Sequence, residues 1–410
     1  MRIDADRLTD LPRDMEASAP RLRLREAVLS RLLGQLSIGH ITVVTPEGRR
    51  LSGRGARPGP EATLVLHRWR ALRRLLIGGD VAFSEAYIAG DWSSPDLPAL
   101  IEFAAHNLPD LSARFAALPP VRAWNRLRHA LRRNSRAGSR RNIAFHYDLG
   151  NDFYRLWLDE GMNYSSAIAI APGQSLEEAQ AARLARIADM LEVEPGQNVL
   201  EIGCGWGALA GALARRGAEV TGITLSREQL AYGRQALAAE PELATRAELR
   251  LQDYRDVNGR YDRIVSIEML EAVGETFWPV YFAKLRACLE RGGVAVLQVI
   301  TIAEDRFEDY RRNTDFIQRH IFPGGMLPTR THIAEQAGAA GLQLEASETF
   351  GHGYAQTLAV WRERYNDARA RIEPLGFGPD FHRLWEYYLS YCEGGFRAGA
   401  IDVGLYKLRG

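Results

Sequence analysis

The chain has 410 residues, 46% hydrophobic and 25% charged, which is ordinary globular composition in a length that predicts two domains. A net charge of +1 favours no class of partner, and three distant cysteines (Cys204, Cys288 and Cys392) exclude a disulfide framework and a zinc knuckle. The charged start, MRIDADRLTDLPRDMEA, carries no apolar core, and no apolar run is long enough to span a bilayer. The expectation is a cytoplasmic protein whose only membrane contact is peripheral, at the inner face.

Residues 1–120 read as a smaller mixed domain. Leu22, Leu24, Val28, Leu32, Leu33 and Leu36 recur at helical spacing. Segments 41–55 and 61–69 look like strands broken by Gly/Pro turns, and PDLPALIEFAAHNL predicts a further helix. Residues 121–141 form a linker within an acid-free stretch between Asp110 and Asp148, which holds Arg114, Arg122, Arg126, Arg128, Arg132, Arg133, Arg136, Arg140 and Arg141. The plain reading is a solvated linker. The sharper one is a patch for an anionic membrane surface, at about 1 kcal/mol per basic residue. Nucleic acid would match the charge equally well, but Trp124 is the lone aromatic between Arg122 and Arg141, so no stacking ladder is present and nucleic acid is not expected.

From 142 the pattern changes. Apolar, β-branched runs at 198–203, 218–225, 247–253, 261–270 and 292–301 alternate with helical segments, which predicts a parallel sheet covered by helices on both faces. LQLEASETF and AIDVGLYKL add late strands. The first strand runs into GCGWG, a turn whose glycines let a ligand approach the backbone at the carboxyl end of the sheet. By itself such a turn is weak evidence and is equally a structural bend. Two other strand ends strengthen it. Thr224, Leu225 and Ser226 close the second strand, where a polar ribose contact is expected, followed by Gln229. Asp253 and Tyr254 close the third, where an acid meets an adenine amino group. This α/β, Rossmann-like constellation resembles the class I S-adenosylmethionine-dependent methyltransferases, although the second strand ends in Thr224 and not in an acid.

The segments NIAFHYDLGNDFYRLWLDEGMNYSSA, LEIGCGWG, GITLSREQL, IEMLEAVG, DFIQRHIFPGGMLP, YAQTLAVWRERY and YYLSYCEGGFRAGAIDV, in this order, resemble the cyclopropane-fatty-acyl-phospholipid synthase family, which includes the mycolic acid cyclopropane synthases. The likeness covers 142–410, and GGDVAFSEAYIAGDW extends it weakly to the front. It implies one-carbon transfer from S-adenosylmethionine to the double bond of an unsaturated phospholipid acyl chain through a carbocation, closing to a cyclopropane. The alternative is a methyl- or methylene-branched chain without ring closure. A methyltransferase for a soluble small molecule and a lipid-binding relative that has lost turnover are the remaining rivals.

The resemblance also implies a bound bicarbonate as base. Its ligands map to Glu271, Ile300 (through its backbone amide) and Tyr354, which match the family, and to Ser166 and Gln298, which stand where the family has Cys and His. Tyr164 and Ser165 are the expected cofactor contacts ahead of the sheet, with Gly203 and Gly205 in the turn. Glu268 serves either the cofactor or only the structure. Trp385, Tyr388 and Tyr391 pack a helix core, with some of them, and Phe316, lining a lipid tunnel. Asp315–Pro323 covers the site, with His320 structural or functional. His146, Tyr147 and Asp148 shape a lid, and Cys204 is a packing residue. The front domain and the arginine linker are expected to dock on the membrane or to mediate homodimer formation.

Overall fold

The computed structural model describes residues 24–115 and 149–410, so the arginine run from Arg122 on, with His146, Tyr147 and Asp148, lies outside the described residues. Among the described residues there are two sheets. The first has strands β1 (Ile38–Val44), β2 (Arg50–Arg54), β3 (Arg57–Leu66) and β4 (Trp92–Ser93) in the order β2-β1-β3-β4, with β1 and β3 parallel. Ile41 and Val43 alternate into the core of this domain. The helix Leu97–Phe115 is fastened across the sheet edge by the buried Asn107 side chain. Its Oδ1 accepts from the Ser37 and Ile38 amides at 2.9 and 3.1 Å, and its Nδ2 donates to the Ile38 carbonyl at 3.0 Å.

The second sheet holds β5 (Asn198–Ile202), β6 (Glu219–Thr224), β7 (Ala247–Leu251), β8 (Tyr261–Ile267), β9 (Leu289–Ile302), β10 (Gln343–Thr349) and β11 (Ile401–Arg409), in the order β10-β11-β9-β8-β5-β6-β7. The five predicted parallel strands pair as expected, and the two late runs form an antiparallel edge pair. Val199, Leu200, Ile264, Val265, Val294 and Ala295 are fully buried, because helices cover both faces. The edge strand β10 is largely exposed and carries Glu345, which pairs with Arg409 of β11; charge protects such an edge.

The chain leaves β5 toward β6 on one side and reaches β8 on the other. The carboxyl ends of β5 and β8 therefore flank the switch point, where open α/β sheets hold ligands. The two domains meet along the helices Arg70–Ile88, Leu97–Phe115 and Pro379–Arg397. Tyr87 donates its hydroxyl to Glu386 at 3.1 Å, and Arg383 donates to the Ile88 carbonyl at 2.5 Å.

Candidate active site

Beyond β5 the chain turns through Gly203, Gly205 and Gly207, with φ of 84°, 52° and 91°, before the helix Ala208–Arg215. A Cβ on Gly203 would lie 2.4 Å from Met269 Cγ, so this glycine lets the turn close against the end of β8. A Cβ on Gly205 would meet nothing within 4 Å, because it faces an open cavity. That cavity has a volume of about 850 Å³ and is lined at this end by Glu201, Gly203, Gly205, Tyr164, Ser165 and Gln229.

Glu201 was not singled out from the sequence. It stands in β5 between apolar neighbours, its Oε2 has no hydrogen-bond partner, and burial pushes its carboxyl up to about 8. The signal was an acid two residues before the first glycine of the turn. A buried, uncompensated carboxyl beside an open backbone cradle suits a ligand that carries a cation.

The remaining expected cofactor residues stand near this end without lining the cavity. Thr224 donates to Gln229 Oε1 at 3.0 Å, and the Ser226 hydroxyl caps the helix Arg227–Ala238 by accepting from the Gln229 amide. Asp253, expected to meet adenine, takes Arg255 in a bidentate pair at 2.8 and 2.6 Å. The Tyr254 hydroxyl is buried without a hydrogen-bond partner, and Leu225 is half-buried between these strand ends.

At the end of β8 the expected anion ligands are arranged differently from the resemblance. Glu268 Oε1 accepts from the Ser165 hydroxyl at 2.5 Å and from Gln298 Nε2 at 2.8 Å, and Oε2 accepts from the Tyr354 hydroxyl at 2.9 Å. The Ile300 amide donates to Glu271 Oε1, and Glu271 Oε2 has no partner. Burial, then the nearby Glu268 charge, pushes Glu271 up to about 8; burial also raises Glu268. Of the two serines, the one expected at the cofactor is the one that meets Glu268. Ser165, expected at the cofactor, bonds Glu268, while Ser166 is fully buried behind the cavity wall, 3.5 Å from Gln298 Nε2. Gln298 is also fully buried and meets the cavity wall through Glu268 and Ser165, to both of which its Nε2 donates at 2.8 Å. Three of the groups expected at bicarbonate, Gln298, Tyr354 and the Ile300 amide, thus donate to protein carboxylates, and a second anion does not fit among those three.

Away from this polar end the cavity runs between the domains. Leu75, Val81, Phe83, Leu100 and Ile101 of the N-terminal domain face Tyr387, Tyr388, Tyr391 and Phe396 of the helix Pro379–Arg397. Tyr388 and Tyr391 therefore line the tunnel, whereas Trp385 packs in the core against Phe153 and Phe381. Phe316 is also core, with its ring 4.7 Å from Tyr387. Asp315, Ile317, Gln318, Phe322 and Pro323 cover the cavity as expected. His320 approaches Glu85 at 3.5 Å, a contact between the domains. Cys204 is buried in the turn, and burial raises its thiol well above the ordinary range, as suits a packing residue.

Residues 134–405 match the family model described as mycolic acid cyclopropane synthetase. The chain belongs to that family. This family member is an S-adenosylmethionine-dependent methyltransferase. It is 38% identical over 420 residues to tuberculostearic acid methyltransferase UfaA1 of Mycobacterium tuberculosis, covering 99% of this chain and 96% of that one. It is 38% identical over 260 residues to the cyclopropane-fatty-acyl-phospholipid synthase of Escherichia coli, covering 63% and 65%. Among solved structures it resembles the cyclopropane synthase MmaA2 of Mycobacterium tuberculosis, with a TM-score of 0.62 and 31% identity over 66% of this chain and 98% of that one. A similar match, TM-score 0.62 and 29% identity over 66% and 98%, is the mycolic acid cyclopropane synthase CmaA1 complexed with SAH and CTAB.

Proposed function

We propose that this methyltransferase adds a methyl group from S-adenosylmethionine to the double bond of an unsaturated phospholipid acyl chain. The observation that carries this reading is one cavity that joins the glycine cradle to an apolar passage between the domains. When bound, the cofactor supplies an electrophilic methyl on a sulfonium. Gly203 and Gly205 give its backbone cradle, Glu201 offers a carboxylate to its ammonium group, and Gln229 stands at the wall on the side of the second strand. The aliphatic and aromatic walls take the acyl chain and keep water from the cation that follows methyl transfer. The rings of Tyr164, Tyr354 and Tyr388 line that region, and aromatic faces stabilise a nearby cation.

The proposed product is a branched, still unsaturated chain, formed when the cation loses a proton. The full-length likeness supports it, since a relative matched through both domains is named a methyltransferase. Ring closure is the second reading, supported by the relatives over the catalytic domain that are named cyclopropane synthases. The arginine run is proposed to attract anionic membrane. Replacing Arg132, Arg133, Arg136, Arg140 and Arg141 by alanine should weaken vesicle binding most at low salt, and unchanged binding would assign that contact elsewhere.

The test is product analysis with S-adenosylmethionine carrying a fully deuterated methyl. A branched alkene is cleaved by ozone, with the label at the branch. A cyclopropane carrying a dideuterated bridge resists ozone and would establish the second reading. No label in lipid would refute both.

A further inference from the structure

We propose that Glu268 is the base that removes the proton after methyl transfer, a carboxylate built into the chain where the resemblance predicts a bound bicarbonate. The inference rests on the acyl-chain reading above.

Glu268 follows β8 with φ of 50°, a left-handed conformation that is uncommon outside glycine and costs of order 1 kcal/mol or more. The fold fixes this backbone through the Glu268 amide, which donates to the Gln298 carbonyl at 2.8 Å. The turn brings the carboxylate to the cavity wall beside Ile267 and Ile300.

Three donors and a cation then favour its ionised form, opposing the burial that raises its carboxyl. Ser165, Gln298 and Tyr354 donate to it directly. Behind them lies the buried guanidinium of Arg183, which donates to Ser165 Oγ at 3.2 Å and to Gln298 Oε1 at 3.4 Å. Gln180 Oε1 and Asn163 Oδ1 fix the other nitrogens of Arg183 at 2.9 and 3.1 Å. The Ser165 hydroxyl gives one bond and accepts two, and the two hydrogens of the Gln298 amide nitrogen go to Ser165 and Glu268 at 2.8 Å, with Ser166 a longer contact at 3.5 Å. Oε2 of Glu268 takes only the Tyr354 hydroxyl in this network, which leaves a lone pair for an incoming proton. Glu271, held to the Ile300 amide and lacking Arg183's relay, is the carboxyl of the pair that keeps its proton near neutral pH.

The step balances without a further reagent. The alkene's π pair forms the new C–C bond to the methyl carbon, and the methyl–sulfur bond breaks with its electrons left on sulfur, giving S-adenosylhomocysteine. The neighbouring acyl carbon is left cationic. Glu268 accepts a proton from the chain or the new methyl, and the freed C–H pair closes an alkene or a ring. The neutral Glu268 then releases its proton to solvent.

The experiment uses the full chain, monounsaturated phosphatidylglycerol vesicles and labelled S-adenosylmethionine, in buffer stripped of carbon dioxide and again with bicarbonate added. The wild-type rate is expected to be the same in both. Glu268→Gln is expected to lose about 10²–10⁴-fold in kcat while its cofactor Kd moves only a few-fold. Glu268→Gly, which removes the left-handed strain, is expected to regain activity with bicarbonate or formate. A wild-type rate that collapses without bicarbonate, or a Glu268→Gln enzyme within a few-fold of wild type, overturns the assignment. A wild type that labels no unsaturated lipid under either condition overturns the functional reading and this assignment with it; the other outcomes leave wild-type labelling intact, so the two failures are distinct.

Discussion

Gly394, in the helix Pro379–Arg397, lies so close to Ile101 of the N-terminal domain that a Cβ there would sit 2.7 Å from Ile101 Cγ2 and 2.9 Å from the Glu102 amide. The contact is what lets two domains share one cavity wall. Gly394→Val should push the helices apart at a cost of about 1–3 kcal/mol. Thermal unfolding should report the loss, and lipid methylation should fall more than cofactor affinity. An unchanged melting temperature and rate would mean that the interface yields without effect on the acyl passage.

The open side of Gly205 gives a second test. Gly205→Val places a branched side chain in the cradle and at a φ of 52° that β-branched residues avoid. The Kd for S-adenosylmethionine by calorimetry should weaken by about tenfold or more, which is about 1.4 kcal/mol. Binding within twofold of wild type would place the cofactor elsewhere.

Glu201 predicts a pH dependence. Its folded carboxyl titrates near 8 against an ordinary value of 4.5, so the folded protein holds a proton that the unfolded chain gives up. Stability from this group is therefore present below 4.5 and is lost as pH rises toward 8. A cofactor ammonium reverses the preference, since it favours the ionised form. Affinity should tighten with pH up to about 8, by at most about tenfold per unit. Glu201→Gln should flatten that profile and weaken binding at pH 8. A profile unaltered by the substitution would remove Glu201 from the cofactor site.

Tyr354→Phe removes one donor from Glu268 and preserves the ring stacked on Phe396. A loss of about 1.5–3 kcal/mol for a hydrogen bond to a charged group corresponds to roughly 10–100-fold in kcat. Little change in the KM for S-adenosylmethionine should accompany it. A KM effect alone would make Tyr354 a cofactor contact.

Glu271→Gln should be milder than Glu268→Gln, because a neutral amide resembles the protonated acid that burial and Glu268 favour there. Turnover at least tenfold above that of Glu268→Gln is expected. The reverse order would make Glu271 the ionised partner.

The sheet was legible because β5, β8 and β9 are buried on both faces, which forces continuous apolar, β-branched runs, and the glycine turn marked its ligand end. What was not legible depended on register and on distant contacts. Whether Ser165 or Ser166 faces Glu268 is decided by one residue in a loop without periodicity. Asp253 closes β7 as read, but its bidentate pair with Arg255, two residues on, depends on side-chain geometry that the sequence does not carry. The N-terminal wall of the cavity was hidden because Val81 and Phe83 lie in a run, GGDVAFSEAYIAGDW, with no ligand signal of its own. Gly79, at φ of 69°, marks where the helix Arg70–Ile88 breaks beside the cavity.

The most direct test of the central claim follows a radiolabelled methyl group from S-adenosylmethionine into vesicles of one headgroup, with either monounsaturated or fully saturated acyl chains. The account predicts label in the acyl fraction of the unsaturated lipid alone, with one S-adenosylhomocysteine released per methyl transferred. Equal labelling of both lipids, or label confined to the headgroup or to a water-soluble acceptor, would contradict it.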